Sequence, residues 1–259
     1  MLAGIDGPVL VDLDDTIIEV HGYAKQGSGY GYSGVRGLNA LLATVTTEGA
    51  APVICGQRLR KGSCGSTRAA RIIADTLAGL TRLRSPQATA KPLVRADSAF
   101  YGYRSVAAAM RGGAEVSITV RLDPAVKTAI AAIDEQAWTP IEYTDAIYDD
   151  STGQWVSRAE VAEIGFTAFT SRKTSEQVPG RLVVRRIPDL NSSGSDGQQS
   201  LFDVWRFHAF FTTTDLDMIT ADRTHRGHAI IEQVHADLKT PPWHTCPRGG
   251  SPPMPPGWS

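Results

Sequence analysis

The 259-residue chain is short of several things that would place it quickly. No apolar run approaches the roughly 20 residues a membrane helix needs, so no membrane partner is expected. No basic stretch precedes an apolar one near the start, so no secretory signal is read there and the expected location is the cytoplasm. Cysteine is scarce: Cys55, Cys64 and Cys246 form no CxxC pair. That excludes a disulfide framework and a thiolate zinc site. No internal repeat is visible, which excludes solenoids and propellers. Net charge is also nearly absent, at −1.

What is present is an ordinary globular composition, 42% hydrophobic, enough for one large domain or two small ones. The near-zero charge hides a division. Residues 1–125 carry 14 Lys+Arg against 10 Asp+Glu, whereas residues 126–215 carry 8 against 13. A cationic first half is compatible with a polyanionic partner, although solvated surface charge explains the count equally well.

Hydrophobic periodicity orders the chain. Residues 8–20 read as a strand whose alternation puts Leu10, Asp12, Asp14, Thr16 and Ile18 on one face. A Gly/Tyr/Ser-rich loop or bulged hairpin follows, then strands at 38–47 and 51–59. Ser66 is placed to cap a helix running to Leu83, with Ala70, Ile73, Leu77 and Leu80 at helical spacing. A buried strand at 93–97, a helix at 105–111, a strand at 115–122 and a helix at 124–133 complete a β-β-β-α-β-α-β-α order. This predicts an α/β fold with a mixed sheet flanked by helices. Residues 138–213 change to short alternating runs separated by turns, an all-β segment. Residues 190–200 read as a polar, mobile loop, 216–221 as a helical turn and 225–239 as a helix. The last 20 residues hold 7 of the 15 prolines and are expected to be disordered.

Three places carry candidate chemistry. In Asp12-Leu13-Asp14-Asp15-Thr16, two carboxylates on one face of an apolar strand are costly unless something binds them, and a divalent cation is the usual remedy. The alternative is a solvated edge. Asp97 follows a short apolar strand, at the end of a sheet where ligands sit in α/β folds; it equally fits a helix cap. On the helix at 225–239, His228, Glu232, His235 and Lys239 share a stripe beside the apolar Ile231, Val234 and Leu238. Pattern alone favours a charged outer face. A histidine zinc site is disfavoured, since His228 and His235 lie seven apart.

The Asp12–Thr16 segment resembles the first motif of haloacid-dehalogenase-type phosphatases, which would make Asp12 a nucleophile, Asp14 an acid/base and Thr46 the second motif. That likeness fails at the acidic fourth motif, where Asp97 follows Ala96 and Tyr101 occupies the place of a second acid. Most of the chain instead resembles the DDE transposases of bacterial insertion sequences. DLDDTIIEVHGYAKQGSGYGYSGVRG, RLRKGS, LVRADSAFYG, SITVR, LVVRR and HRGHAIIEQVHADLK come in that family's order. In the family's third motif the places of Tyr, Arg, Glu and Lys fall on His225, His228, Glu232 and Lys239; the first two depart from the pattern.

The resemblance implies a ribonuclease H-like fold with residues 1–133 and 216–239 as the catalytic core, 134–215 as a β-rich insertion and 240–259 as a tail. It implies catalytic, metal-binding Asp14, Asp97 and Glu232. Asp14 is preferred to Asp12 because the family's first acid usually sits two residues before Ser or Thr, here Thr16. The implied cofactor is Mg²⁺ or Mn²⁺, as two ions. The implied partner is double-stranded DNA, both transposon ends and target, in a nucleoid-associated protein, and a homodimer is allowed. DNA contacts are expected from Lys25, Arg36, Arg58, Arg60, Lys61, Arg95, His225, His228 and Lys239. Tyr23, Tyr30 and Tyr32 would stack on bases or pack on the sheet, and Trp155 and Trp205 read as core. Relatives extend further before the first acid and continue apolar after Lys239, so a truncated copy, read in a shifted frame after residue 239, is expected. A non-catalytic DNA-binding remnant is the third reading.

Overall fold

The computed structural model describes residues 3–21, 25–31, 34–65, 68–149, 154–188 and 205–239. Strand β1 (Val9–Glu19) pairs antiparallel with β3 (Arg36–Thr47), and β3 with β4 (Ala50–Lys61); β2 is only Gly29–Tyr30, set against the start of β3. On its other side β1 runs parallel to β5 (Leu93–Ala96), which runs parallel to β6 (Glu115–Thr119). Every residue of β5 is buried, as expected of a parallel strand covered on both faces. The sheet then continues antiparallel through β10 (Trp205–Thr212), β9 (Val178–Pro188), β8 (Gln154–Ala168) and β7 (Thr139–Asp149), giving ten strands. The mixed α/β sheet expected from the sequence is present, and its β-rich segment is hydrogen-bonded into the same sheet through Phe210 opposite Thr119.

Period-two alternation assigns β1 two different neighbours. Val9, Val11 and Leu13 join Leu41, Ala43 and Val45 of β3 in the main core. Helix α1 (Ala70–Leu83) closes that face with Ile72, Ile73, Leu77 and Leu80. Beside it packs α2 (Tyr103–Arg111), and α3 (Pro124–Ala131) follows β6, capped by the Asp123 carboxylate accepting from the Val126 N–H. Ser66, expected to cap α1, lies outside the described residues; the residue before the helix is Ala69, which makes no side-chain cap. The other face of β1 carries Asp12 and Asp14 and meets His228 and α5 (Ile230–Lys239), while α4 (Met218–Arg226) packs on β8 and β9.

That face holds the main departure from the periodicity reading. The stretch expected as one helix over 225–239 is broken: α4 ends at Arg226, Gly227–Ala229 forms a 3₁₀ turn, and α5 begins at Ile230. The cause is a side chain in the helix ladder. The Arg95 guanidinium donates to the Thr224 carbonyl, which a continuous helix would offer to the His228 N–H. Gly227 allows the approach, since a Cβ there would lie 2.9 Å from Arg95 Nη1. The helix also starts earlier than its apolar pattern suggests, because Asp217 caps it by accepting from the Thr220 N–H at 3.0 Å.

The polar loop at 190–200, the tail at 240–259, Tyr23 and Tyr32 lie outside the described residues, as does the side chain of Trp155. Trp205 is half-buried against Arg186, whose guanidinium lies between its ring (4.4 Å) and that of Trp138 (4.3 Å).

The hairpin end near β2 depends on a glycine. A Cβ at Gly62 would lie 2.1 Å from the Gly37 carbonyl oxygen and 2.3 Å from that of Gly29, both backbone and unable to yield. Gly62→Ala is expected to destabilise the fold by about 1–3 kcal/mol, read as a lower urea midpoint at unchanged slope.

Candidate functional site

The strand register brings the acidic residues together. In the parallel pairing of β1 and β5, Asp12 lies opposite Arg95 and Leu13 opposite Ala96. One step further, Asp14 continues along β1 while Asp97 is the first residue past the end of β5. The three aspartates of β1 then have different fates. Asp12, fully buried, receives Arg95 Nε on Oδ1 and Nη2 on Oδ2, each at 2.7 Å, and His228 Nδ1 lies 2.8 Å from Oδ1. Asp15, on the opposite face, accepts from Arg60 Nη2 at 2.7 Å, while Arg60 also bonds Asn39. Asp14 has no arginine in these contacts. One of its oxygens accepts from the Asp15 N–H at 2.7 Å, and the other lies 3.2 Å from Nε2 of the buried His235.

Asp97 follows β5 and accepts from the Ala99 N–H at 2.9 Å, which caps the short 3₁₀ turn Ser98–Phe100. Both readings of this residue therefore meet in one side chain: it is a cap, and it sits at the mouth of the strands. Partial burial, followed by the negative charge of Asp14, raises its pKa above the usual carboxylate range; the Ala99 N–H and His228 act in the opposite sense. Asp97 thus stands in the field of Asp14. Glu232 occupies the first turn of α5 and is exposed, while its neighbours Ile231 and His235 are buried. Among the described residues no group of three or more His, Cys, Asp or Glu side chains is arranged to hold a metal ion.

The residues expected to meet DNA divide into two groups. Arg95 is 2% exposed, its guanidinium committed to Asp12 and Thr224 rather than offered to a phosphate. His225 is held on both ring nitrogens, Nδ1 by the Ser117 hydroxyl at 2.8 Å and Nε2 by that of Thr119 at 3.0 Å, and its ring stacks on Phe210 at 4.0 Å. Arg60 is tied to Asp15 and Asn39, and Arg58 to Asp75 of α1. His228 is turned to Asp12. Lys25 and Lys61, in contrast, are exposed, and with the half-buried Arg36 they gather where β2 meets β3 and β4, beside the exposed Tyr30. Lys239 is the last residue of α5, and its side chain lies outside the described part.

Sequence reasoning weighed Asp12 as a metal ligand and did not see it as the anchor of a helix break. A signal was available: a buried strand carrying an arginine in register with a buried aspartate calls for a pair. The role of Thr224 had no signal, since a backbone carbonyl leaves none in the sequence.

The carboxylates differ in what they can offer a divalent cation. Asp12 does not fit, because both oxygens are already used by positive or donating groups. Asp14 and Asp97 are the carboxylates left: the negative charge of Asp14 adds to the cost of ionising Asp97, which a cation beside them would offset. The neighbouring His235 makes no hydrogen bond through either ring nitrogen, and its Nε2 faces Asp14 at ion-pair distance.

Two outcomes test this construction. Removing one half of the buried pair, as in Asp12→Ala, is expected to cost about 3–5 kcal/mol, with the double variant Asp12→Leu/Arg95→Met recovering a large part of that in denaturant melts. Burial, followed by the charges of His228 and Arg95, pushes the His225 pKa down to about 3, below the unfolded value near 6.5. The unfolded chain therefore binds the extra proton first. Stability from this group is complete above about pH 6.5 and falls as pH drops toward 3, by on the order of 1 kcal/mol per pH unit. His225→Gln should be less stable than wild type at pH 7.5 and show a flatter loss between pH 6.5 and 4.5 in thermal melts.

No curated protein matches the chain at a significant level. Residues 5–245, spanning every element described above, match the family described as the transposase DDE domain, and the chain belongs to that family.

Proposed function

We propose that this protein is the catalytic core of a DNA transposase that cuts and joins phosphodiesters in a metal-dependent reaction. The observation that carries the reading is the placing of Asp14 and Asp97 one residue beyond the last registered pair of β1 and β5, with Asp97 in the field of Asp14, in a chain of this family. Asp14, Asp97 and Glu232 would hold Mg²⁺ or Mn²⁺. When bound, such ions stabilise the attacking and leaving oxygens of an in-line displacement at phosphorus.

The chain's own residues prepare that site. Arg95 neutralises Asp12, His228 lies against the same carboxylate, and Arg95 also holds the Thr224 carbonyl ahead of the turn that precedes α5, the helix bearing Glu232. Arg60 neutralises Asp15 and leaves Asp14 as the carboxylate of that segment without an arginine partner in the contacts described above. Lys25, Arg36 and Lys61 would meet phosphates near the β2 corner without reading sequence, and Tyr30 offers a ring to a base. Double-stranded transposon ends and target DNA are the partners. The exposed Glu232 would complete the site when DNA and metal are bound.

The phosphatase reading requires a reactive Asp12. That carboxylate is fully buried and held by Arg95 and His228, so it has no open path to a phosphate ester.

The test is nicking of supercoiled DNA carrying the transposon ends, with Mg²⁺, Mn²⁺ or chelator. Asp97→Asn and Glu232→Gln are each expected to lower metal-dependent nicking by at least ~10²-fold, with circular dichroism and melting temperature near wild type. Nicking that persists in both variants, or no nicking with either metal by the wild type, overturns the catalytic reading. Binding without nicking and with a steep salt dependence would identify the non-catalytic form.

A further inference from the structure

We propose that the outer edge of β4 is the interface of a two-fold homodimer, in which β4 pairs antiparallel with β4 of a second copy of this chain and the sheet continues across the axis; the proposal is independent of the metal-dependent reading above.

Among the described residues β4 pairs with β3 alone, so one side of a 12-residue strand has no partner strand. The other elements that pack on it, α1 and α5, are helices and give its edge no ladder. A strand edge presents a row of backbone donors and acceptors, which proteins usually blunt with charge, proline, bulges or short length. This edge is long, and most of its charge is withdrawn. Arg58 is bound to Asp75 of α1, and Arg60 to Asp15 and Asn39. Pro52 and the bulge at Cys55 interrupt it only at single positions. What it shows to solvent is largely uncharged: Val53, Ile54, Cys55, Gln57 and Leu59 are all exposed, Leu59 at 64%.

The strand is complementary to itself. An antiparallel pairing with its axis at Gln57 sets Leu59 opposite Cys55 of the second copy, an apolar contact made twice. The two Gln57 amides meet on the axis, where each can donate to and accept from the other. Arg58 then falls opposite Gly56, Arg60 opposite Ile54 and Lys61 opposite Val53, so the cationic half of each strand faces the uncharged half of the other. Pro52 lies beyond the paired stretch, and its missing N–H costs the ladder nothing. A parallel pairing in register would instead set Arg58, Arg60 and Lys61 against their own copies. Charge therefore selects the antiparallel arrangement.

The experiment is sedimentation equilibrium of the full chain over a dilution series, together with cysteine cross-linking. The wild type is expected to dimerise, and Gln57→Lys, which puts two cations on the axis, to weaken dimerisation by at least ~10-fold with its melting temperature near wild type. Leu59→Lys, at the most exposed apolar position of the strand, serves if the first variant unfolds. Directly opposed residues of an antiparallel pair have Cα atoms about 4.5–5.5 Å apart, within reach of a disulfide. In a background of Cys55→Ser, Cys64→Ser and Cys246→Ser, Gln57→Cys should therefore give a covalent dimer on mild oxidation, whereas Leu83→Cys, exposed on α1, should not. A wild type that stays monomeric up to ~100 µM, a dimer unaffected by the lysine variants, or a dimer without the Gln57→Cys cross-link overturns the proposal. Each of these outcomes leaves the reading of Asp14 and Asp97 unchanged, since that is tested by nicking.

Discussion

The buried pairing of Arg95 with Asp12 organises the rest of this molecule. It joins two adjacent parallel strands by their side chains as well as their backbones, and its third nitrogen reaches across to a carbonyl of α4. Two opposite charges removed from water are stable only when nearly every donor and acceptor is used, and here His228 supplies a further contact to the carboxylate. The consequence is geometric. The α-helical ladder gives way to a 3₁₀ turn at Gly227–Ala229, and α5, which follows, packs against β1.

Burial of charge also explains how the three aspartates of β1 come to have different chemistry. A strand sends alternate residues to opposite faces, so Asp12 and Asp14 share one environment and Asp15 enters another. On each face an arginine from another strand claims one carboxylate: Arg95 of the adjacent β5 takes Asp12, and Arg60 of β4, beyond β3, takes Asp15. Asp14 is placed instead beside a second carboxylate and an imidazole. The site is thus defined as much by which acids are neutralised as by which are not. Arg95 and Arg60, which a charge count assigns to a nucleic acid, spend their charge holding the strands that carry the acids. Of the residues expected to meet DNA, Lys25 and Lys61 are exposed at the β2 corner.

Much of the architecture was legible in the amino-acid order because hydrophobic periodicity is a local property. The alternation across residues 8–20, the apolar stripe of α1 and the wholly buried run at 93–96 each report which side meets the core. The break between α4 and α5 was not legible. The segment has helical spacing throughout, and the agent that divides it lies some 130 positions earlier in the chain.

For the site, the order of residues determined the chemical inventory: Asp14, Asp97 and Glu232 in a family's sequence of motifs, with histidines at helical spacing around the last. Tertiary structure alone decided how that inventory is distributed. It set Asp97 in the field of Asp14 through strand register, turned Arg95 and His225 inward, brought His235 against Asp14 and left Glu232 exposed. Residue type sets what a group can do, but whether a charge meets solvent, a counter-charge or a neighbour of like sign depends on contacts between segments far apart in the chain, and local pattern carries no record of those.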